Sequence, residues 1–296
     1  MTHSHAHLPA SVNLTQALMI GIALNVSYAA VECGIGIYYH SMGLISDAGH
    51  NLSDVVSLIL ALLALYLVKR PANNTHTYGY KKSTILISLL NAVILLVAVG
   101  VIITESINKF IHPVAVEGSA IAWTAGVGVI INALTAWLFL REKNRDLNVK
   151  GVYLHMVADA LVSVGVVISG VVIAFTQWTI IDPIIGLLVA GVIVITTWEL
   201  LMDSLRLSLD GVPEGVEMDQ VRQAITAVDG IRDLHHLHVW ALSTTENALT
   251  AHIIVTDLGQ LTAVREAVRQ RLDHLGISHV TLEVETAHTD SCDQCE

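Results

Sequence analysis

Two stretches of this sequence place one imidazole and one carboxylate four residues apart within apolar surroundings. They are His50 with Asp54, and His155 with Asp159. Residues four apart on a helix share a face, about 6 Å apart along the axis. Each stretch therefore presents a His–Asp pair on one stripe. If the stripes face each other, two nitrogens and two oxygens converge. That donor set suits a tetrahedral divalent ion, zinc above all. Asp47 stands one turn before His50, where it is placed to orient that ring from behind.

The energetics favour a ligand role over structural glue. An ionisable residue at mid-bilayer costs about 2.5–3.5 kcal/mol. Asp47, Asp54 and Asp159, ionised and unpaired, would together cost on the order of 8–10 kcal/mol. Neither stretch contains a Lys or Arg, so a bound cation or protons must balance them. Four ligands leave no open position for a catalytic water, and His-Glu-x-x-His is absent, so carriage of the ion fits better than hydrolysis. Histidine titrates near pH ~6.5 and binds metal only when deprotonated. Metal and protons then compete for His50 and His155, which is a physical basis for exchanging one for the other.

The elements that carry these pairs read as membrane helices. The 296-residue chain is 53% hydrophobic and only 14% charged, where soluble domains carry about a quarter. Six apolar segments near 12–38, 42–68, 83–109, 120–141, 151–176 and 183–203 reach the roughly 20 residues a span needs. Lys69, Arg70, Lys81 and Lys82 fall in the second connection, and Arg141, Lys143, Arg145 and Lys150 in or beside the fourth. The positive-inside rule puts those connections and both termini in the cytoplasm. No positive n-region opens the chain, so no signal peptide is expected.

Beyond the last span the composition changes. From residue 204 onward there are 15 acidic residues against 6 basic ones. Helical spacing over 215–228, strand-like runs at 234–242 and 249–255, a second helix at 261–272 and an alternating strand at 279–284 give the order α-β-β-α-β. The expected architecture is an all-α six-helix transmembrane domain, residues 12–209, followed by a small α+β cytoplasmic domain, residues 210–287. Residues 1–11 read as a tail bearing His3, His5 and His7, and residues 288–296 as a tail bearing His288, Cys292 and Cys295. Three cysteines are no disulfide framework, and a net charge of −11 argues against nucleic acid as a partner.

Ser41-Met42-Gly43-Leu44-Ile45-Ser46-Asp47-Ala48-Gly49-His50 with Asp54, then Leu147-Asn148-Val149-Lys150-Gly151 leading to His155 and Asp159, then Asp182-Pro183-Ile184, resembles the cation diffusion facilitator family. The resemblance runs over nearly the whole chain. It implies a homodimeric metal/proton antiporter that exports zinc by alternating access, with a metallochaperone-like cytoplasmic domain that pairs across the dimer. His50 resembles the zinc-preferring branch, and a bacterial inner membrane is the expected setting. The family's second-loop site has an acid and two histidines around a Tyr-Gly step. Here only His76 matches, so that site is expected to be degraded. Lys82 and Asp210 match a charge interlock at the dimer's membrane boundary. In the cytoplasmic domain the resemblance favours His235, His252 and Glu283 as ligands of a regulatory zinc.

Other readings stay open. Strand alternation puts His236 and His238 on one face and His235 on the other. His288, Cys292 and Cys295, like the N-terminal histidines, fit zinc capture or a tail with no specific role. Glu32 and Glu105 near the outer ends of their spans fit an exit path, snorkelling or a helix–helix hydrogen bond, and Glu199 is a further membrane acid. Asn25, Asn51, Asn91 and Asn132 fit a wet cavity or interhelical glue. Cadmium or cobalt could replace zinc as substrate. An intramembrane metalloenzyme would need an open coordination position, and a metal sensor would accumulate no metal in vesicles.

Overall fold

The computed structural model describes residues 14–38, 42–112, 118–176, 178 and 180–286, and the side chains of residues 36, 42–50, 53, 118–125, 166, 169, 170, 173, 174 and 182 lie outside what it describes. Both terminal tails, with His288, Cys292 and Cys295, also lie outside the described residues.

Six long helices come first: α1 Leu14–Tyr38, α2 Met42–Val68, α3 Ser83–Ile111, α4 Gly118–Phe139, α5 Leu147–Thr176 and α6 Ile181–Ser208. Among the described residues, Leu14–Ile35, Ser83–Ile111 and Pro183–Ser208 are long and apolar enough to cross a membrane. Shorter apolar stretches lie in α2 (Asp54–Val68) and α4 (Gly126–Phe139). The chain divides into two compact units, one of residues up to Leu67 with Ile87–Leu201, the other of Val68–Leu86 with Met202–Glu296.

In the first unit α5 is the hub. On one side Val149, Val152 and Met156 pack with Ala17 and Leu18 of α1, Leu58 and Ala61 of α2, and Ala136 and Phe139 of α4. On the other side Ala158 packs with Val99 of α3 and Ala190 and Ile193 of α6. Small residues let these backbones approach, as expected where lipid offers no hydrophobic drive between helices. A Cβ on Gly151 of α5 would stand 2.5 Å from Asn91 Nδ2 of α3, and one on Gly165 of α5 would stand 2.7 Å from Ile185 of α6. The outer faces are apolar: Met19, Leu63, Val97, Trp137, Phe175 and Ile195, one from each helix, are all exposed. A water-soluble bundle would not carry apolar exposure on that scale.

Two helix ends differ by more than two residues from the spans read off the sequence. α5 begins at Leu147 rather than 151, because Asp146 caps it: its Oδ1 accepts from Asn148 N at 2.7 Å, and its carbonyl from Lys150 N at 2.9 Å. α6 runs on to Ser208, past the expected 203, and is closed by Asp210. Asp210 takes the left-handed conformation (φ 57°), and Gly211 N donates back to Arg206 O at 2.9 Å.

The second unit is built from α7 Met218–Thr226, β1 Ile231–Ala241, β2 Asn247–Val255, α8 Leu261–Asp273 and β3 Ile277–Glu285. The order α-β-β-α-β is the one read from the sequence. The sheet runs β1-β2-β3, with β1 antiparallel and β3 parallel to β2. The parallel pair needs a crossover, which α8 supplies. Val221 and Ile225 of α7 and Val264, Val268 and Leu272 of α8 pack on Leu234, Val239, Leu249, Ile253 and Ile277.

β1 does not alternate as expected. Leu234 and Val239 both face this core, although five residues apart. A bulge between His235 and His238, with His236 at φ +48°, shifts the phase by one residue. The expectation that His235 and His236 lie on opposite faces is therefore wrong. The His236 ring lies 5.5 Å from His235 and 4.9 Å from His252.

Candidate metal centre

α2 and α5 bring Asp54, His155 and Asp159 together. The buried stripe of α2 runs through Asn51, Asp54, Val55, Ser57, Leu58 and Ala61, the i, i+3, i+4 pattern of a helix face. On α5 Val152, His155, Met156 and Asp159 form the matching stripe. Asp54 Oδ1 lies 2.9 Å from His155 Nε2, and Asp159 Oδ2 lies 3.6 Å from the same nitrogen. Tetrahedral donors held about 2 Å from a zinc ion stand about 3.3 Å apart. The two distances bracket that value. Asp54 is 1% exposed and His155 4%, so water does not screen the group.

His50 and Asp47 belong to α2, but their side chains lie outside the described ones. The sequence pattern puts His50 one turn before Asp54 on the same face.

A second group of donors sits in the second unit. His235, His252 and Glu285 each offer an atom within 4.8 Å of the others. His252 Nδ1 is 2.9 Å from Glu285 Oε1, and His235 Nε2 is 3.5 Å from Glu285 Oε2. Glu283 approaches the other ring nitrogen of His252 at 3.3 Å, but its side chain is 67% exposed. Glu285 was not singled out from the sequence. The signal was present: Glu283 and Glu285 are two apart on β3 and so share a face. Two imidazoles with one or two carboxylates, half-buried, are a donor set that fits zinc.

The second connection gathers no such set among the described residues. Asn73 Oδ1 accepts from Thr75 N and His76 N, at 2.9 and 2.7 Å, and closes the loop on itself. His76 stacks on Tyr80 with ring centroids 4.6 Å apart. Lys82 is hydrogen-bonded to Asp210 and donates to Ala241 O at 3.2 Å. Its neighbour Lys81 pairs with Glu246. Of the remaining acids, Glu32 is buried and bonded to Asn51 on α2 at 2.7 Å, so the helix–helix reading holds and snorkelling does not. Glu105 is exposed, and Glu199 pairs with Lys150 at 2.8 Å.

These features agree with what the chain resembles. Residues 18–207 match the family described as the cation efflux transmembrane domain, and residues 213–287 the cytoplasmic domain of cation efflux proteins. The metal cation efflux system protein CzcD of Cupriavidus metallidurans is 34% identical over 99% of this chain and 93% of its own. The cadmium, cobalt and zinc/H(+)-K(+) antiporter of Bacillus subtilis is 32% identical over 92% of this chain and 89% of its own. The zinc transporter ZitB of Escherichia coli is 32% identical over 96% and 93%. Apolar helices and a buried polar donor group are what an integral membrane carrier of cations requires, and the chain belongs to the cation diffusion facilitators, a family of metal cation efflux transporters and not of enzymes.

Proposed function

We propose that this protein exports zinc from the cytoplasm in exchange for protons, with His50, Asp54, His155 and Asp159 holding the ion at mid-membrane. The observation that carries the reading is the buried Asp54–His155–Asp159 group, with donor atoms within 4.8 Å of one another and contributed by two different helices. Helices that rock against each other can assemble such a site on one side of the membrane and dismantle it on the other. Protons compete for the same imidazoles and carboxylates, so release of zinc to the far side is coupled to their uptake. The relative named for both cadmium and cobalt as well as zinc favours a second reading, export of several divalent ions.

On this reading all six helices cross the bilayer, since each carries large exposed apolar residues. The basic residues of the α2–α3 and α4–α5 connections put those connections and both termini in the cytoplasm. The membrane is the inner membrane of a bacterium, as the bacterial relatives favour. The domain division is 12–209 for transport and 210–287 for a metallochaperone-like module that pairs across a homodimer, with Lys82 and Asp210 fixing its boundary. His235, His252 and Glu285, with Glu283 beside them, hold a regulatory zinc there. The tails, with His288, Cys292 and Cys295, capture zinc.

Uptake into reconstituted vesicles tests the transport reading. An imposed pH gradient should drive zinc accumulation, and Asp54→Ala or Asp159→Ala should abolish it. Accumulation that survives both substitutions would sink the site assignment, and no accumulation by the wild type would leave a sensor.

A further inference from the structure

A buried carboxylate of α1 is tied to the helix that carries Asp54. Glu32 of α1 is 2% exposed, and both its oxygens accept hydrogen bonds from neutral donors. Asn51 Nδ2 of α2 donates to Oε2 at 2.7 Å, and Tyr28 OH to Oε1 at 3.3 Å. Leaving such a buried acceptor unmatched is costly, so this contact strongly selects one arrangement of α1 against α2. Asn51 is itself 6% exposed. It precedes Asp54 by three residues, so the two side chains leave α2 about 60° apart. One is fastened to α1 while the other meets His155 on α5. Rolling α2 in either direction breaks one contact or both. Tyr28 is held in turn against α4, where Gly128 leaves space for the phenol: a Cβ there would stand 3.2 Å from its oxygen.

We propose that Glu32 is a positioning residue of the metal site, which sets the rotation of α2 through Asn51 and so holds Asp54 against His155. The inference rests on the reading of Asp54 as a ligand. The role needs a hydrogen-bond acceptor at Glu32 and no proton transfer by it. That separates it from a proton carrier, for which glutamine cannot substitute.

The test is pH-driven zinc uptake by the full chain in vesicles, normalised to protein recovered. Glu32→Ala and Asn51→Ala should each raise KM for zinc on the order of tenfold, the usual scale for losing a group that orients a ligand. The double variant should be no worse than either single one, since both remove one contact. Glu32→Gln keeps an oxygen for Asn51 and should restore KM to within about threefold of the wild type, given that the contact is a hydrogen bond to a neutral donor. Its uptake should follow the wild-type pH profile. If Glu32→Ala is not recovered folded, Asn51→Ala and Glu32→Gln carry the same comparison. Uptake by Glu32→Gln as poor as by Asp54→Ala, a shifted pH profile, or additive losses in the double variant would overturn the proposal. Undiminished uptake by Asp54→Ala would instead overturn the ligand assignment, whatever Glu32 does.

Discussion

The placement of His155 depends on how closely α5 packs against α3, and Gly151→Ala tests that dependence. Gly151 lies one turn before His155. A Cβ added there would stand 2.5 Å from Asn91 Nδ2 and 3.4 Å from Leu200 Cδ2. Comfortable contacts lie near 3.5–4.0 Å, so Asn91 or α5 must move by about 1 Å. Asn91 is 2% exposed and has little room to yield. Overpacking of this kind costs about 1–3 kcal/mol. Alanine also gains up to about 1 kcal/mol over glycine as a helix former, which partly hides the clash. Gly191 of α6 is the control, because nothing lies within 4 Å of its added Cβ. Gly191→Ala should be neutral or slightly stabilising. The difference between the two variants isolates the clash. Thermal unfolding of the purified protein should separate them by roughly 2–4 °C per kcal/mol, with Gly151→Ala the lower. Its zinc KM should rise on the order of tenfold as His155 shifts. If the two variants unfold at the same temperature and transport zinc equally well, the close approach does not position the site.

Two other perturbations have clear expected outcomes. His252→Ala should lower the zinc bound per chain by one in equilibrium dialysis, while uptake at saturating zinc persists; loss of transport at saturation would make that site more than regulatory. Asp146→Ala should lower stability by about 1 kcal/mol through loss of the α5 cap, and Asp146→Asn should recover most of it, as read by thermal unfolding.

The sequence was most legible where chemistry and helical period coincide. His155 and Asp159 could be paired because four residues return a helix to the same face. Asp54 could be given a partner on the other helix only by supposing that the two stripes face each other, since no periodicity within one helix says which neighbour it meets. The structure supplies that contact. In the second unit the element order followed from helical spacing and strand alternation, but the histidine face did not. One residue at positive φ, His236, inserts a bulge and brings three histidines to one side. Alternation cannot anticipate a bulge at a non-glycine residue. Glu285 was passed over because its partner His252 is distant in sequence. Glu32 sat near a helix end, where snorkelling and hydrogen bonding cost similar amounts until burial is known.

The charge inventory gives the exchange reading its direction. The helices α1, α2, α4 and α5 contain four carboxylates, Glu32, Asp47, Asp54 and Asp159, and a single ammonium, Lys150. Lys150 is engaged by Glu199 on α6. On the proposed reading the acids of these four helices therefore outnumber their fixed cations by three. A divalent ion balances Asp54 and Asp159 while it is bound. When it leaves, each ionised carboxylate would cost about 2.5–3.5 kcal/mol at membrane depth, so an empty charged site is strongly disfavoured. Protons are the small cations that can enter as the metal departs, and they bind the same atoms. On that reading zinc leaves on the acidic side as protons bind, and the protons leave on the other. Replacing Asp159 by Asn removes one of the charges that demand this compensation, and that variant should take up fewer protons per zinc exported if it transports at all.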